Sequence, residues 1–285
     1  MKPFVTWRYD TVHAAGATLA RYTAGSSAPG ADVVFLLHGL GHWAEGAWSP
    51  LVARLDPARR YVAVDLPGFG ASDKPRARYD PAYFRAAIED VARELGTERY
   101  ALAGHSLGGL LAADHAGTHP ERVSHLALIA PAGFRPAPRV ALYALASGIA
   151  RGSLAAGAAR AAAGRFARAA VHDPRAWQPG DVERLAAQAG DPRVRAVFAG
   201  IYAAGLRALF RRRHLAGACG RFTGPVWCGW GAHDRFLPLQ GLDAVRAVYP
   251  QCESLVLTES AHLPMIEEPA RVAAAVEAFL TSHPF

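Results

Sequence analysis

The chain has 285 residues, 51% of them hydrophobic, which is enough for one core with or without an inserted subdomain and excludes an intrinsically disordered protein. Its formal charge of +7 is carried almost wholly by arginine, since Lys2 and Lys74 are the only lysines, and no basic segment sits in a nucleic-acid reader motif, so no nucleic-acid partner is expected. Three cysteines (Cys219, Cys228 and Cys252) form no Cys-x-x-Cys pair, which excludes a disulfide framework or a zinc site of the usual spacing and fits a reduced, cytoplasmic protein.

The N-terminal residues Met1 to Arg8 lack an apolar stretch, so no signal peptide is expected. The segments around Phe4 to Val12 and Ala17 to Tyr22 read as an antiparallel lead-in. Short apolar runs follow, each ending in turn residues: Val33 to Leu37, Tyr61 to Val64, Tyr100 to Ala103, Leu126 to Ala130, Val226 to Trp230 and Leu255 to Leu257. Such runs are apolar on both faces, as strands of a buried parallel sheet are. Between them, Leu51 to Leu55, Pro81 to Leu95, Leu107 to His119, Leu239 to Val248 and Ile266 to Leu280 carry apolar residues at helical spacing. Strand alternating with helix predicts an α/β fold whose mostly parallel sheet is flanked by helices on both faces.

From about Arg135 to Phe222 the strand rhythm stops. This Ala- and Arg-rich stretch reads as helices broken at Asp173-Pro174, Gln178-Pro179-Gly180 and Asp191-Pro192. The expected organisation is a core of residues 1–134 and 223–285, with residues 135–222 inserted as a helical cap. Arg211-Arg212-Arg213-His214 reads as a solvated helix end. Val140 to Val171 lacks the Trp and Leu content of an interfacial anchor, and no run of about 18 apolar residues is free of charge, so no stable membrane insertion is expected.

Gly104-His105-Ser106-Leu107-Gly108 fits Gly-x-Ser-x-Gly at a strand-to-helix junction, the context in which that pentapeptide makes a nucleophile elbow. Ser106 is the expected nucleophile. A serine hydroxyl needs a base. Of the twelve histidines, His262 follows the final strand and precedes the last helix, the position that completes the order Ser, Asp/Glu, His. His105 reads as a packing or hydrogen-bonding residue, and His42 as a candidate to face the pocket. Gly231-Ala232-His233-Asp234 places Asp234 as the acid that fixes the base's tautomer. The competing role for Asp234 is a helix cap near Pro238. Two backbone N–H groups, those of Leu40 and Leu107, are expected to form the oxyanion hole.

These motifs resemble the α/β-hydrolase superfamily in its branch with a helical cap. The resemblance extends to His38-Gly39-Leu40-Gly41, to Asp65-Leu66-Pro67-Gly68-Phe69-Gly70-Ala71-Ser72 and to Ala261-His262-Leu263-Pro264-Met265-Ile266-Glu267-Glu268-Pro269. It implies an eight-stranded sheet and acyl transfer through an acyl-enzyme, with no metal or organic cofactor. Epoxide hydrolases and haloalkane dehalogenases of this branch carry aspartate at the nucleophile position, which Ser106 disfavours. Carboxylic ester or lactone hydrolysis of a small, largely apolar molecule is the expected reaction. The alternatives are hydrolysis of a carbon–carbon bond in a ring-cleavage product, acyl transfer or perhydrolysis by the same residues, and a non-enzymatic ligand receptor on the same fold. Expected pocket walls are Gly39, Trp43, Phe134, Tyr143 and Leu263, with Trp48 and Phe69 as further candidates.

Overall fold

The computed structural model describes residues 5–135, 156–209, 217–283 and 285. Tyr143 and the Arg211–His214 cluster lie outside the described residues, as do residues 140–155 of the Val140–Val171 segment.

One sheet of eight strands organises the chain: β1 (Arg8–Ala14), β2 (Ala17–Gly25), β3 (Val33–Leu37), β4 (Arg60–Val64), β5 (Tyr100–His105), β6 (Val123–Ile129), β7 (Val226–Gly231) and β8 (Glu253–Leu257). Their spatial order is β1-β2-β4-β3-β5-β6-β7-β8. β1 and β2 pair antiparallel, β2 pairs antiparallel with β4, and the rest of the ladder is parallel. The central strands β3, β5, β6 and β7 are buried along their whole length, which is why their sequences are apolar without alternation.

Helices cover both faces. On one face, α2 (Pro81–Glu94), α3 (Leu107–Thr118) and α7 (Gly241–Val248) bury Phe84, Leu111 and Val245 against the sheet. On the other, α1 (Ala44–Val52) and α9 (Pro269–Ser282) bury Trp48, Leu51, Val272 and Phe279. The helix expected over Leu51 to Leu55 instead begins at Ala44 and ends at Val52. Gly46 and Pro50 read as breakers, but burial of Ala44, Ala47, Trp48, Leu51 and Val52 holds the helix through them. The single helix expected from Ile266 splits into α8 (Pro264–Glu267) and α9, with Glu268 at φ −121°, ψ 52° between them. Pro269 clashes with a helical residue ahead of it and starts α9 as its first residue.

Between β6 and β7 the described elements are helical: α4 (Ala156–Ala170), a 3₁₀ turn at Pro174–Ala176, α5 (Asp181–Gly190) and α6 (Pro192–Leu209). Ala167 of α4 and Leu185 of α5 enclose Trp43, and Arg184 lies over its ring at 4.3 Å from the centroid. Phe198 of α6 meets Phe69 at 5.7 Å between centroids. The Asp65–Ser72 turn beneath is self-bonded: Asp65 accepts the N–H groups of Ala44 and Ala71, and Ser72 donates to the Asp65 carbonyl.

Several buried histidines resist protonation in this fold. Burial lowers His38 and His125 to about 4 and His42 to about 3. In the unfolded chain these rings take a proton near pH 6.5, whereas the folded protein resists it until about pH 4. Between those values the unfolded state binds more protons, so stability is full above about pH 6.5 and falls as pH drops toward 4. Chemical denaturation across this range is expected to show uptake of more than one proton on unfolding. Flat stability from pH 7 to 4.5 would contradict it.

Candidate active site

The strand order reverses about β3 and β5: from β3 the chain passes to β4 on one side and then crosses back to β5 on the other. In open α/β sheets ligands bind beyond the carboxyl ends of the strands at this switch point. The loop carrying His38 to Trp43 and the turn carrying Ser106 leave the sheet there.

Ser106 stands between β5 and α3 at φ 52°, ψ −114°, a conformation that side-chain-bearing residues rarely adopt and that costs about 1–3 kcal/mol. Three backbone hydrogen bonds hold it. Its N–H donates to the Ile129 carbonyl (3.0 Å), and its own carbonyl accepts from Leu110 (3.1 Å) and Ala132 (2.9 Å). Glycine is required on either side. A Cβ on Gly104 would lie 2.3 Å from the Gly108 carbonyl oxygen, and one on Gly108 would lie 2.1 Å from that of Leu37. The elbow therefore closes onto β3 only with the two glycines of the pentapeptide in place.

The three candidate residues meet. Ser106 Oγ donates to His262 Nε2 at 3.0 Å, and His262 Nδ1–H donates to Asp234 Oδ2 at 2.7 Å. The Asp234 side chain has no solvent exposure, and its second oxygen accepts the N–H groups of Phe236 (2.8 Å) and Leu237 (2.9 Å). One oxygen thus faces the imidazole while the other fixes the turn after β7; the helix-cap role near Pro238 does not hold, because α7 begins only at Gly241 with Gln240 at its N-cap.

Leu107 opens α3, so its N–H is among the donors at the helix start that have no carbonyl within the helix. The helix dipole also favours negative charge there. On the facing loop the Gly39 carbonyl accepts from His38 Nδ1–H (2.8 Å) and from the His42 N–H (3.2 Å). In a trans peptide the following N–H points opposite that carbonyl, so both bonds aim the Leu40 N–H. Gly39 borders Ser106: a Cβ placed on it would lie 3.2 Å from Ser106 Cβ.

Among the expected pocket walls, Trp43 and Leu263 are buried, 1% and 2% exposed. Trp43 anchors α4 and α5, and Leu263 caps α8. Trp48 and Phe69 are likewise fully buried core. Phe134 is half-buried beside Tyr249. His42 is buried and stacks on Trp43 and Trp177, with Nδ1–H donating to the Trp43 carbonyl.

The partners of three residues around the site, His38, His105 and Phe236, escaped the sequence reading, although His105 was expected to pack or hydrogen-bond. His38 Nε2 accepts the Leu66 N–H at 2.9 Å, which fixes its tautomer so that Nδ1–H faces Gly39. His105, held neutral by burial, donates Nε2–H to the His262 carbonyl at 2.7 Å. Phe236 meets the His262 ring edge-on at 5.3 Å. The motifs containing His38 and His105 were visible, but their partners are backbone groups, which leave no pattern in sequence. Among the described residues no group of three or more His, Cys, Asp or Glu side chains is arranged to hold a metal ion. Nor is any described helix long and apolar enough to cross a membrane.

Residues 32–269 match the family model described as alpha/beta hydrolase fold. An uncharacterised protein of Mycobacterium tuberculosis is 30% identical over 295 aligned residues, covering 96% of this chain and 81% of that protein. The crystal structure of a membrane phospholipase A, a bacterial virulence factor, aligns at TM-score 0.77 with 26% identity, covering 97% of this chain and 86% of that one. The 2-hydroxy-6-oxo-6-phenylhexa-2,4-dienoate hydrolase of Rhodococcus sp. strain RHA1 aligns at TM-score 0.80 with 23% identity, covering 97% and 99%; at that identity the likeness is one of fold.

Proposed function

Because this chain belongs to the alpha/beta hydrolase fold family, we propose that it is a serine hydrolase that cleaves a carboxylic ester, lactone or related acyl bond of a small, largely apolar molecule. The observation that carries this reading is the unbroken hydrogen-bond chain Asp234–His262–Ser106 at the switch point of the sheet.

In the proposed reaction His262 Nε2 takes the Ser106 proton as Oγ attacks the carbonyl carbon. The Leu40 and Leu107 N–H groups receive the oxyanion. Because these donors are backbone groups fixed before substrate arrives, they need no reorganisation during the step, and one such donor is typically worth about 10²–10³ in rate. The leaving group departs with the proton from His262, and water activated by the same imidazole releases the acid. Asp234 stays ionised throughout and stabilises the imidazolium. The helices inserted between β6 and β7 act as a cap that shapes the acyl pocket.

Hydrolysis of p-nitrophenyl esters of increasing acyl length tests this reading, with turnover expected on at least part of the series and an optimum that sizes the pocket. Turnover confined to a vinylogous diketone ring-cleavage product would transfer the site to carbon–carbon bond hydrolysis. Absence of turnover on either substrate class would favour a ligand receptor.

A further inference from the structure

The loop that carries His262 is gripped from two directions. On the elbow side, His105 Nε2–H donates to the His262 carbonyl. On the other side the contacts come from the segment inserted between β6 and β7. The His262 N–H donates at 2.9 Å to the carbonyl of Ala170, the last residue of α4. That carbonyl is one of those a helix end leaves without an internal partner. Two residues further on, the His172 and Asp173 N–H groups donate to Oε1 of Glu267 at 2.5 and 3.1 Å. The other oxygen of the same carboxylate accepts the Ala261 N–H at 2.8 Å. The side chains repeat the connection: Phe166 of α4 stacks on Phe236 at 5.1 Å, and Phe236 meets the His262 ring.

We propose that Glu267 is a positioning residue that clamps the end of α4 to the His262 loop, so that the seating of this inserted segment sets where the imidazole stands. The proposal rests on the reading of His262 as the general base. A carboxylate suits the task because its two oxygens accept from two chain segments at once and each bond is charge-assisted. The clamp reaches the reaction through geometry alone, since Glu267 bonds only backbone N–H groups.

Glu267→Gln tests the clamp with almost no change of volume. The new amide presents N–H where an oxygen accepted, so one of the two segments loses its acceptor. With a p-nitrophenyl ester, kcat is expected to fall about 10²-fold, the scale of an ångström-size misplacement, with KM little changed. The low-field proton resonance of the Nδ1–H···Asp234 bond is expected to shift or broaden. A lowered melting temperature with kcat and that resonance unmoved would reduce Glu267 to a structural role and overturn the proposal.

Amide hydrogen exchange on the unmodified protein gives a second test that needs neither turnover nor a folded variant. The amides of His172, Asp173, Ala261 and His262 are expected to open together at one rate. Fast exchange at His172 and Asp173 beside slow exchange at Ala261 and His262 would overturn the clamp. If the protein turned over no ester, the hydrolase reading would fail while the exchange result still decided the clamp.

Discussion

Ser106→Ala is expected to lower ester turnover on the order of 10⁶-fold, the scale seen when a triad serine is removed, while the melting temperature changes little. The activity loss follows from the chemistry, because Ser106 Oγ is the oxygen hydrogen-bonded to His262 Nε2, at 3.0 Å, and alanine removes it. The retained fold follows from the backbone. The bonds to Ile129, Leu110 and Ala132 are all main-chain, and alanine carries the same strain at φ 52° as serine. Ser106→Gly gives a sharper version. At φ 52°, ψ −114° the chain has the geometry of the first central residue of a type II′ turn, which glycine adopts freely. The glycine variant is expected to be as inactive as the alanine variant and more stable. Steady-state kinetics and thermal unfolding check both points; a variant that keeps near-normal turnover would remove Ser106 from the mechanism.

Asp234→Asn is expected to lower kcat about 10⁴-fold with modest loss of stability. Asparagine can keep its carbonyl oxygen on the Phe236 and Leu237 N–H groups, so the turn after β7 survives. Its amide then faces His262 Nδ1 as a donor. The imidazole must answer as an acceptor there, which puts its proton on Nε2, facing Ser106. In that tautomer His262 cannot take the serine proton. Activity close to wild type, measured with the same ester, would show that the 2.7 Å contact between Asp234 and His262 contributes nothing to the base.

The elbow and the chain order of the candidate residues were legible because both are properties of short, local sequence. Gly104 and Gly108 sit where a side chain would strike the Gly108 and Leu37 carbonyls, and Asp234 and His262 follow the ends of β7 and β8. Helix limits were less legible where tertiary burial overrides propensity. Trp48 and Leu51 hold α1 together across Pro50, a residue that would end an isolated helix. Pocket walls were the least legible, because a large apolar side chain reads alike in a core and in a cleft. Trp43 and Leu263 are buried, which suits either role, whereas Phe236, which touches His262, has no distinguishing neighbours in sequence. Glu267 was equally hidden: its partners at positions 172 and 173 lie 95 and 94 residues away and are backbone N–H groups.

The most direct measurement is reaction of the purified protein with a fluorophosphonate probe, read by intact mass and peptide mapping. Phosphonylation of one serine, Ser106, at a rate that collapses in Asp234→Asn, is the result expected of a working serine nucleophile activated by His262. Absence of a covalent adduct, or an adduct at another residue with Ser106 unmodified, would contradict the assignment of this site as the centre of a serine hydrolase.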